Sequence, residues 1–554
     1  MSKVVFICLK DPGKNPYSRK DADILSDLIA PDNISPNPPK IIQDNGILVT
    51  VFNPAEALLV KNTSICLGHI IDSQDSWHKP LSKVPDGAFA IFRSNKNTVE
   101  LISDMTASRS IWYTHTQNML IASNSQRAII MLLKSFKPNR VVFSWMLSSG
   151  TIGPGNSWDS RIKHLPPNAR LILDRMNWNL TLKQQTHDFT PSNISDEEHE
   201  RRFTNILERI FTNLEFDPSK YALALSGGFD SRTILLMLLK MKKNIKCITW
   251  GLKSSLEDEH NDPYVARSIT KLFGLNHIYL ETDISKEPAE KILVRFLVAG
   301  EGRNDDVGAY IDGLNTWKSL FESKVSAVLR GDQCCGDPVS NVSSFRPRQK
   351  SRVELLSDYG FCKDTGEIKF EKQNSPPGVE RKPNESLITW YIRLYQEFHV
   401  PFILAPLNEL KSSYVEMITP LLSNSIVKYT RQMPDHLLIN KTLFKKIAHS
   451  INPGIEFTSS ARAIIQKQDL LKIKDIKTVI SDELNDSYSR TILPGEFIEY
   501  VFSNINKFIL DDTVAVKSLT GGSAIDCSRL ALRTYIICKM TKILSEDAKA
   551  LTRR

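Results

Sequence analysis

The stretch Tyr221-Ala-Leu-Ala-Leu-Ser-Gly-Gly-Phe-Asp-Ser-Arg232 constrains the fold more than any other part of this chain. Tyr221 to Leu225 is short, mostly apolar and bounded, the pattern of a parallel strand buried on both faces. Ser226-Gly227-Gly228 makes a tight turn, and Thr233 to Lys240 reads as the start of a packed helix. Strand, glycine turn and helix N-terminus together aim backbone N–H groups at an anion. Glycine is expected because a side chain would block a phosphate and because the turn calls for positive φ. Ser226 and Ser231 can add hydroxyl donors, and Asp230 can hold a partner group or a metal.

Two more strands follow in the same style. Asn244 to Gly251 is apolar and ends in glycine; Asn276 to Glu281 is the next. Between them lie an acidic loop, Glu257-Asp-Glu259, and Asp262-Pro263, an N-cap and N1 pair that opens a helix burying Val265, Ala266, Ile269, Leu272 and Phe273. The acids either orient a substrate or form a solvated approach to that helix. Val325 to Leu329 is a fourth strand, running into Arg330-Gly-Asp-Gln-Cys-Cys-Gly-Asp337. Alternating strands and helices predict a doubly wound parallel sheet that binds ligands at its carboxyl ends. Ser195 with Glu198 reads as a capping box ahead of a helix over 196–214.

The first 185 residues read differently. Ala88–Arg93, Thr98–Ser103, Ser110–Tyr113 and Asn118–Ser123 are short strands separated by polar turns, followed by an amphipathic helix over Ser125–Phe136. Residues 344–386 are polar and rich in Pro, Lys and Glu, a loop or insertion expected over the active site; 387–450 return to helix, and helices continue to the end. At 554 residues two domains are expected, 1–185 and 199–554.

The string Ser-Gly-Gly-Phe-Asp-Ser resembles the pyrophosphate loop of the ATP pyrophosphatase superfamily, SGGxDS, and lacks the Gly-Lys-Ser/Thr ending of a Walker loop. Asp86-Gly-Ala-Phe-Ala90, Asp104 with Arg109 and Tyr113, Ile121–Asn124, Leu147–Gly153 and Ile162–Asp174 resemble, in that order, the glutaminase domain of asparagine synthetase. The second part resembles its synthetase domain. The resemblance implies an Ntn-hydrolase-like α+β domain followed by a doubly wound α/β ATP-pyrophosphatase domain with a helical C-terminal part. It implies ATP and Mg²⁺ as cofactors, with Ser226, Gly227, Gly228, Phe229, Asp230 and Ser231 on pyrophosphate and Ile248, Thr249, Trp250 and Gly251 against adenine. Asp230 and Asp332 would hold the metal; Asp230, Asp332 and Arg330 would be catalytic.

Three departures from the family matter. Gln333 stands where the family's string Gly-x-Asp-Glu-x-Phe-Gly-Gly has its glutamate, and Asp337 could restore the charge. Thr458–Ala463 offers Arg462 but no lysine for the family's basic signature. Position 2 is Ser2, where the family's glutaminase has a cysteine, and Cys8 is not N-terminal. The resemblance therefore implies an AMP-forming carbon–nitrogen ligase whose N-terminal domain is silent. The acyl acceptor is left open. A tethered amine is the logic of β-lactam synthetases and lasso-peptide macrolactam cyclases; amidation of a small molecule or glycan precursor with ammonia or glutamine, and a non-catalytic scaffold, are the alternatives. The expected partner is a small-molecule or peptide carboxylate, with a partner protein of a biosynthetic pathway a further candidate.

Composition narrows the rest. Apolar content is 41% and the formal charge +9, with no basic run interleaved with aromatics, so nucleic acid is not expected. No apolar run reaches membrane-spanning length. Eight cysteines lie scattered, Cys334 and Cys335 adjacent and poorly spaced for zinc, and a reduced, cytoplasmic protein is expected.

Overall fold

Alternation of apolar positions builds the N-terminal part. The computed structural model describes residues 3–71, 76–186, 188–259, 261–332, 346–353, 370–454, 475–505 and 527–552. The first strands are Lys3–Leu9 (β1), Lys40–Asp44 (β2), Ile47–Phe52 (β3), Leu59–Lys61 (β4), Ser64–Ile70 (β5) and Gly87–Ser94 (β6). Thr98–Ser103 (β7), Trp112–His115 (β8), Met119–Ser123 (β9), Lys163–His164 (β10), Ala169–Asp174 (β11) and Asn179–Gln184 (β12) follow. They form two six-stranded antiparallel sheets, ordered β10-β8-β9-β1-β3-β2 and β12-β11-β7-β6-β5-β4. Val4, Phe6 and Cys8 pack with Val49, Leu67, Phe92 and Leu101, joining the two sheets in one core. The intervening Val5, Ile7 and Leu9 face the other way, against Ile129 and Leu132 of helix α1 (Gln126–Leu133).

Capping sets the helix ends. Ser125 caps α1 by accepting from the Ala128 N–H, and the helix stops at Leu133 rather than Phe136 because Lys134 turns left-handed, at φ 52°. Ser195 caps α2 (Asp196–Asn213) in the same way, accepting from the Glu198 N–H. The expected capping box is not closed: the Glu198 carboxylate pairs with Arg201 and Arg202 instead.

Tyr221–Ala224 (β13), Lys246–Gly251 (β14), His277–Glu281 (β15), Ala327–Leu329 (β16) and Glu416–Ile418 (β17) form one parallel sheet in the order β15-β14-β13-β16-β17. Leu223 and Leu329 face the side covered by α2 and by α3 (Phe229–Lys240). Helix α4 (Asp262–Leu272) adds Val265, Ala266 and Ile269 to that side. Ala222, Ile248 and Val328 face the other side, covered by α5 (Ala289–Gly300) and by Leu410 of α6 (Ala405–Lys411). Thr442–Ile451 (α7) and Cys527–Ala550 (α8) are later helices. The doubly wound sheet is thus present, with one strand more than the sequence pattern predicts. Glu416-Met-Ile418 sits inside a stretch expected to be helical; three residues carry no readable period, and pairing with β16 supplies what propensity does not.

One further expectation needs correction, and one open alternative is narrowed. The described parts of the 344–386 segment do not cover the carboxyl ends of the parallel strands: Arg352 pairs with Asp305 and Asp306, Gln373 donates to Ser148, and Val353 and Val379 pack with Leu394 and Phe398. The acids Glu257, Asp258 and Glu259 are exposed, with Asp258 accepting from Asn261 and Glu259 from Tyr264, so the solvated reading holds. Among the described residues no helix is long and apolar enough to cross a membrane.

Candidate functional site

From β13 the chain winds outward to β14 and β15, then returns to β16 on the other side of β13. That reversal opens a crevice at the carboxyl ends of the strands, the place where open α/β sheets bind ligands. A cavity of about 240 Å³ occupies it, lined by Ser226, Gly228, Asp230, Ser231, Thr249, Trp250, Asp262, Arg330, Gly331 and Asp332. Ser226, Gly228, Asp230, Ser231, Thr249, Trp250, Arg330 and Asp332, all candidates from the sequence, meet there. The other four candidates do not line it. The Gly227 N–H is taken by the Asp262 carboxylate and its carbonyl by Arg232. The Phe229 ring lies beneath Lys445 Nζ, 4.5 Å away, Ile248 is wholly buried in the core, and the Gly251 carbonyl accepts from the Thr282 N–H.

The turn is built without positive φ at its second glycine. Gly228 has φ −76° and is the N-cap of α3, which begins at Phe229, four residues before the expected start. Phe229, Asp230 and Ser231 are therefore the first turn of a helix. Space at 228 is tight but not closed: a Cβ there would lie 3.2 Å from Ser226 Oγ. The two serines serve the turn itself. Ser231 Oγ accepts from the Ser226 N–H at 3.0 Å, and Ser226 Oγ accepts from the Gly228 N–H at 3.1 Å.

Gly331 is the closest approach. A Cβ there would meet the Ser231 nitrogen at 2.6 Å and Asp230 Cβ at 3.0 Å, so β16 can run past the N-terminus of α3 only with glycine at this position. The motif does not include this residue; its one signal in the sequence is a glycine between the charged Arg330 and Asp332.

Each carboxylate of the cleft has a partner. Asp230 accepts from Lys441 Nζ at 2.8 and 3.1 Å. Lys441 is buried, and it is brought there by two consecutive left-handed residues, Asn440 at φ 51° and Lys441 itself at φ 58°. Such backbone is costly away from glycine and persists where the surroundings enforce it. Asp332 accepts from Asn408 Nδ2 at 2.8 Å and pairs with Arg330 at 3.3 Å. Burial would raise the Asp332 pKa, but the charges of Arg330 and then Lys411, with the Asn408 hydrogen bond, hold it below the ordinary value. It is an ionised, hard oxygen donor. Asp262 was expected as an N-cap; Asn261 is the N-cap, which frees the Asp262 carboxylate to reach Gly227. Burial raises its pKa against the pull of that N–H and of Arg232.

Two carboxylates on one cleft fit a magnesium ion that takes its other oxygens from phosphate and water, which is how Mg²⁺ is usually held. Among the described residues no group of three or more metal-ligating side chains is present. Gln333, Asp337, Arg462 and Ser2 lie outside the described residues, as do Cys334 and Cys335.

The residues that carry the glutaminase-like resemblance make contacts within the fold. Asp104 is buried and accepts from the N–H groups of Phe89, Thr106 and Ser108. Arg109 donates to Ser412, Glu416 and the Met417 carbonyl, and Asp86 pairs with Arg209 and accepts from the Ser425 N–H. Cys8 is fully buried, and burial pushes its thiol up to about 11. It is not a nucleophile at neutral pH.

No family model and no curated protein matches the chain. Two solved structures align with it at 9% identity. One, described as the allosteric regulatory enzyme of purine biosynthesis, has a TM-score of 0.22, with 63% of this chain and 87% of that chain covered. The other, a glutamine phosphoribosylpyrophosphate amidotransferase from B. subtilis complexed with ADP and GMP, has a TM-score of 0.21, with 61% and 83% covered. Likenesses this slight carry no weight for the function of this chain.

Proposed function

We propose that this chain is an ATP-dependent, AMP-forming carbon–nitrogen ligase of the asparagine synthetase type. One observation carries the reading: the Ser-Gly-Gly-Phe-Asp-Ser turn and the Arg330-Gly-Asp332 turn face one another across a single cleft at the carboxyl ends of a parallel sheet. In this reading a substrate carboxylate oxygen attacks the α-phosphorus of ATP. The bond from that phosphorus to the bridging oxygen breaks, and pyrophosphate leaves. An amine nitrogen then attacks the acyl carbon, AMP departs with the electron pair of the acyl–oxygen bond, and the nitrogen loses a proton.

The residues have definite tasks. The first turn of α3 receives phosphate oxygens, and Arg330 and Lys441 oppose the charge that develops on pyrophosphate. Asp230 and Asp332 would hold Mg²⁺, which when bound supplies a fixed positive charge against the departing phosphates. Trp250 offers a flat apolar face beside the cleft. Ser2 in place of a cysteine favours an amine that does not come from glutamine hydrolysis; a tethered amine is the first candidate, since intramolecular attack can reach effective molarities of about 10⁵ M or more.

A second reading has an observation of its own. Asp262 occupies the Gly227 N–H and Lys441 occupies Asp230, so the cleft is internally satisfied. A scaffold that keeps the fold without binding nucleotide would have such a cleft. ATP–pyrophosphate exchange with a panel of amine-bearing carboxylic acids separates the two. Acid-dependent exchange that is lost in Asp230→Ala supports the ligase. No exchange, together with no ATP binding by calorimetry, favours the scaffold.

A further inference from the structure

Behind the cleft, on α6, lies a lysine that neither the motif nor the cavity lining includes. Lys411 is buried, 6% exposed, with Nζ 3.4 Å from Asn408 Oδ1 and 5.8 Å from the centroid of the Trp317 ring. Trp317 in turn packs edge-on against Trp250, which lines the cleft, with ring centroids 5.5 Å apart. Asn408 is 2% exposed, and its Nδ2 donates to Asp332 Oδ2 at 2.8 Å.

These contacts decide which way the Asn408 amide faces. An amide can donate from only one end. The ionised Asp332 carboxylate can only accept, so it requires the NH₂ end of Asn408. That leaves the carbonyl oxygen facing Lys411 Nζ, which donates to it. Were the amide reversed, a carbonyl oxygen would oppose an ionised carboxylate, which is repulsive in a buried place. Arg330 pairs with the same carboxylate at 3.3 Å, so Asp332 is held from two directions while remaining on the cleft wall.

We propose that Lys411 is a positioning residue: acting through Asn408, it fixes the orientation in which Asp332 meets a metal–nucleotide complex. The inference rests on the ligase reading for the identity of that complex. It is a separate statement about which side chains make Asp332 competent. Side chains that orient a metal ligand in this way alter metal affinity by about 10–100-fold when removed.

The test uses Mn²⁺ as the probe, read by electron paramagnetic resonance in the presence of α,β-methylene-ATP, which cannot be cleaved between its α- and β-phosphates. The full chain is compared with Lys411→Met, Asn408→Ala and the double variant. Methionine matches the length of the lysine stem and removes only the donor. Expected is a loss of Mn²⁺ affinity of about tenfold or more in each single variant, with the double variant no weaker than Asn408→Ala, because the two act as one unit. A parallel measurement of ATP–pyrophosphate exchange should then recover when Mg²⁺ is raised. Affinities within twofold of wild type in Lys411→Met, or additive losses in the double variant, would overturn the positioning role while leaving the nucleotide reading intact. A wild-type chain that takes up no Mn²⁺ with the analogue would overturn the nucleotide reading and this inference with it. Should Lys411→Met fail to fold, Lys411→Gln keeps a donor, and an affinity there at the level of Asn408→Ala would equally overturn the role.

Discussion

At the scale of single residues, the cleft depends on one glycine and one lysine that the motif does not contain. Gly331→Ala would push a methyl group into the Ser231 nitrogen, a backbone atom that cannot step aside. We expect a stability loss of about 1–3 kcal/mol, measured by denaturant unfolding, together with loss of nucleotide binding. A variant as stable and as active as wild type would mean that β16 and α3 have more room than the geometry gives. Lys441→Met should reduce ATP–pyrophosphate exchange by about tenfold or more, the equivalent of a charge-assisted hydrogen bond of ~1.5–3 kcal/mol. Its effect should exceed that of Lys445→Met, whose ammonium lies over the Phe229 ring outside the cleft. Equal effects would place the phosphate charges elsewhere.

At the scale of elements, α2 and α3 show how a helix is delivered to its place. α2 carries three acids in its first turn, where they favour the helix dipole, and a Ser195 cap. Its apolar face of Phe203, Leu207, Ile210 and Phe211 packs in the same cluster as β13 and α3. Ser195→Ala should cost about 1 kcal/mol, since the Glu198 N–H loses its acceptor and no closed box compensates. Unchanged unfolding in this variant would show that the solvent supplies the acceptor equally well. Helix α3 has no side-chain cap at Gly228. On the proposed reading, the N–H groups of its first turn would meet the phosphate oxygens, and a side-chain cap there would compete with them.

At the scale of the molecule, the N-terminal sheets and the parallel sheet are joined through buried charge. Arg109 reaches Ser412 at 2.9 Å and Glu416 at 2.5 Å, the Ser110 N–H donates to Glu409 at 2.5 Å, and Arg303 pairs with the same Glu409. Glu409 shares α6 with Asn408 and Lys411, so the N-terminal part braces the helix that holds Asp332. Arg109→Met leaves Glu416 buried without its partner and should cost about 3–5 kcal/mol in unfolding experiments. A loss below about 1 kcal/mol, the level of an exposed pair, would show that the seam is not a brace. Two buried histidines sit on the same seam. His69 faces Ser423 and His164 faces Phe402, and burial pushes both to about 3. Both are neutral in the fold but take up a proton near pH 6.5 when unfolded, so their contribution is complete above that pH and falls away below it. Between about pH 7.5 and pH 5 each should cost about 2 kcal/mol, and the double variant His69→Gln/His164→Gln should flatten the pH dependence. The same acid sensitivity in the double variant would assign it to other groups.

What the chain's own residues made legible was local. Tyr221–Leu225 before two glycines announced a buried strand and a helix start, and the short apolar runs between polar turns in residues 88–123 announced hairpins, because strand and turn preferences act over a few neighbours. The N-cap of α2 was readable for the same reason. What escaped were groups joined across the fold: Asp262 on the Gly227 N–H, Lys441 on Asp230, and Asn408 with Lys411 behind Asp332. Lys441 is 211 positions from its carboxylate and Asn408 is 76 from its own, and no spacing rule spans such gaps. Even the need for glycine was only half local: it was visible at 227 and 228, but Gly331, the tighter of the two glycines that line the cleft, is tight because β16 lies beside β13. Sequence made four of the five parallel strands legible and pointed to the turn proposed to meet an anion. Packing decided which charges stand around that place, since only a closed core brings burial, and burial is what forces distant ions into pairs.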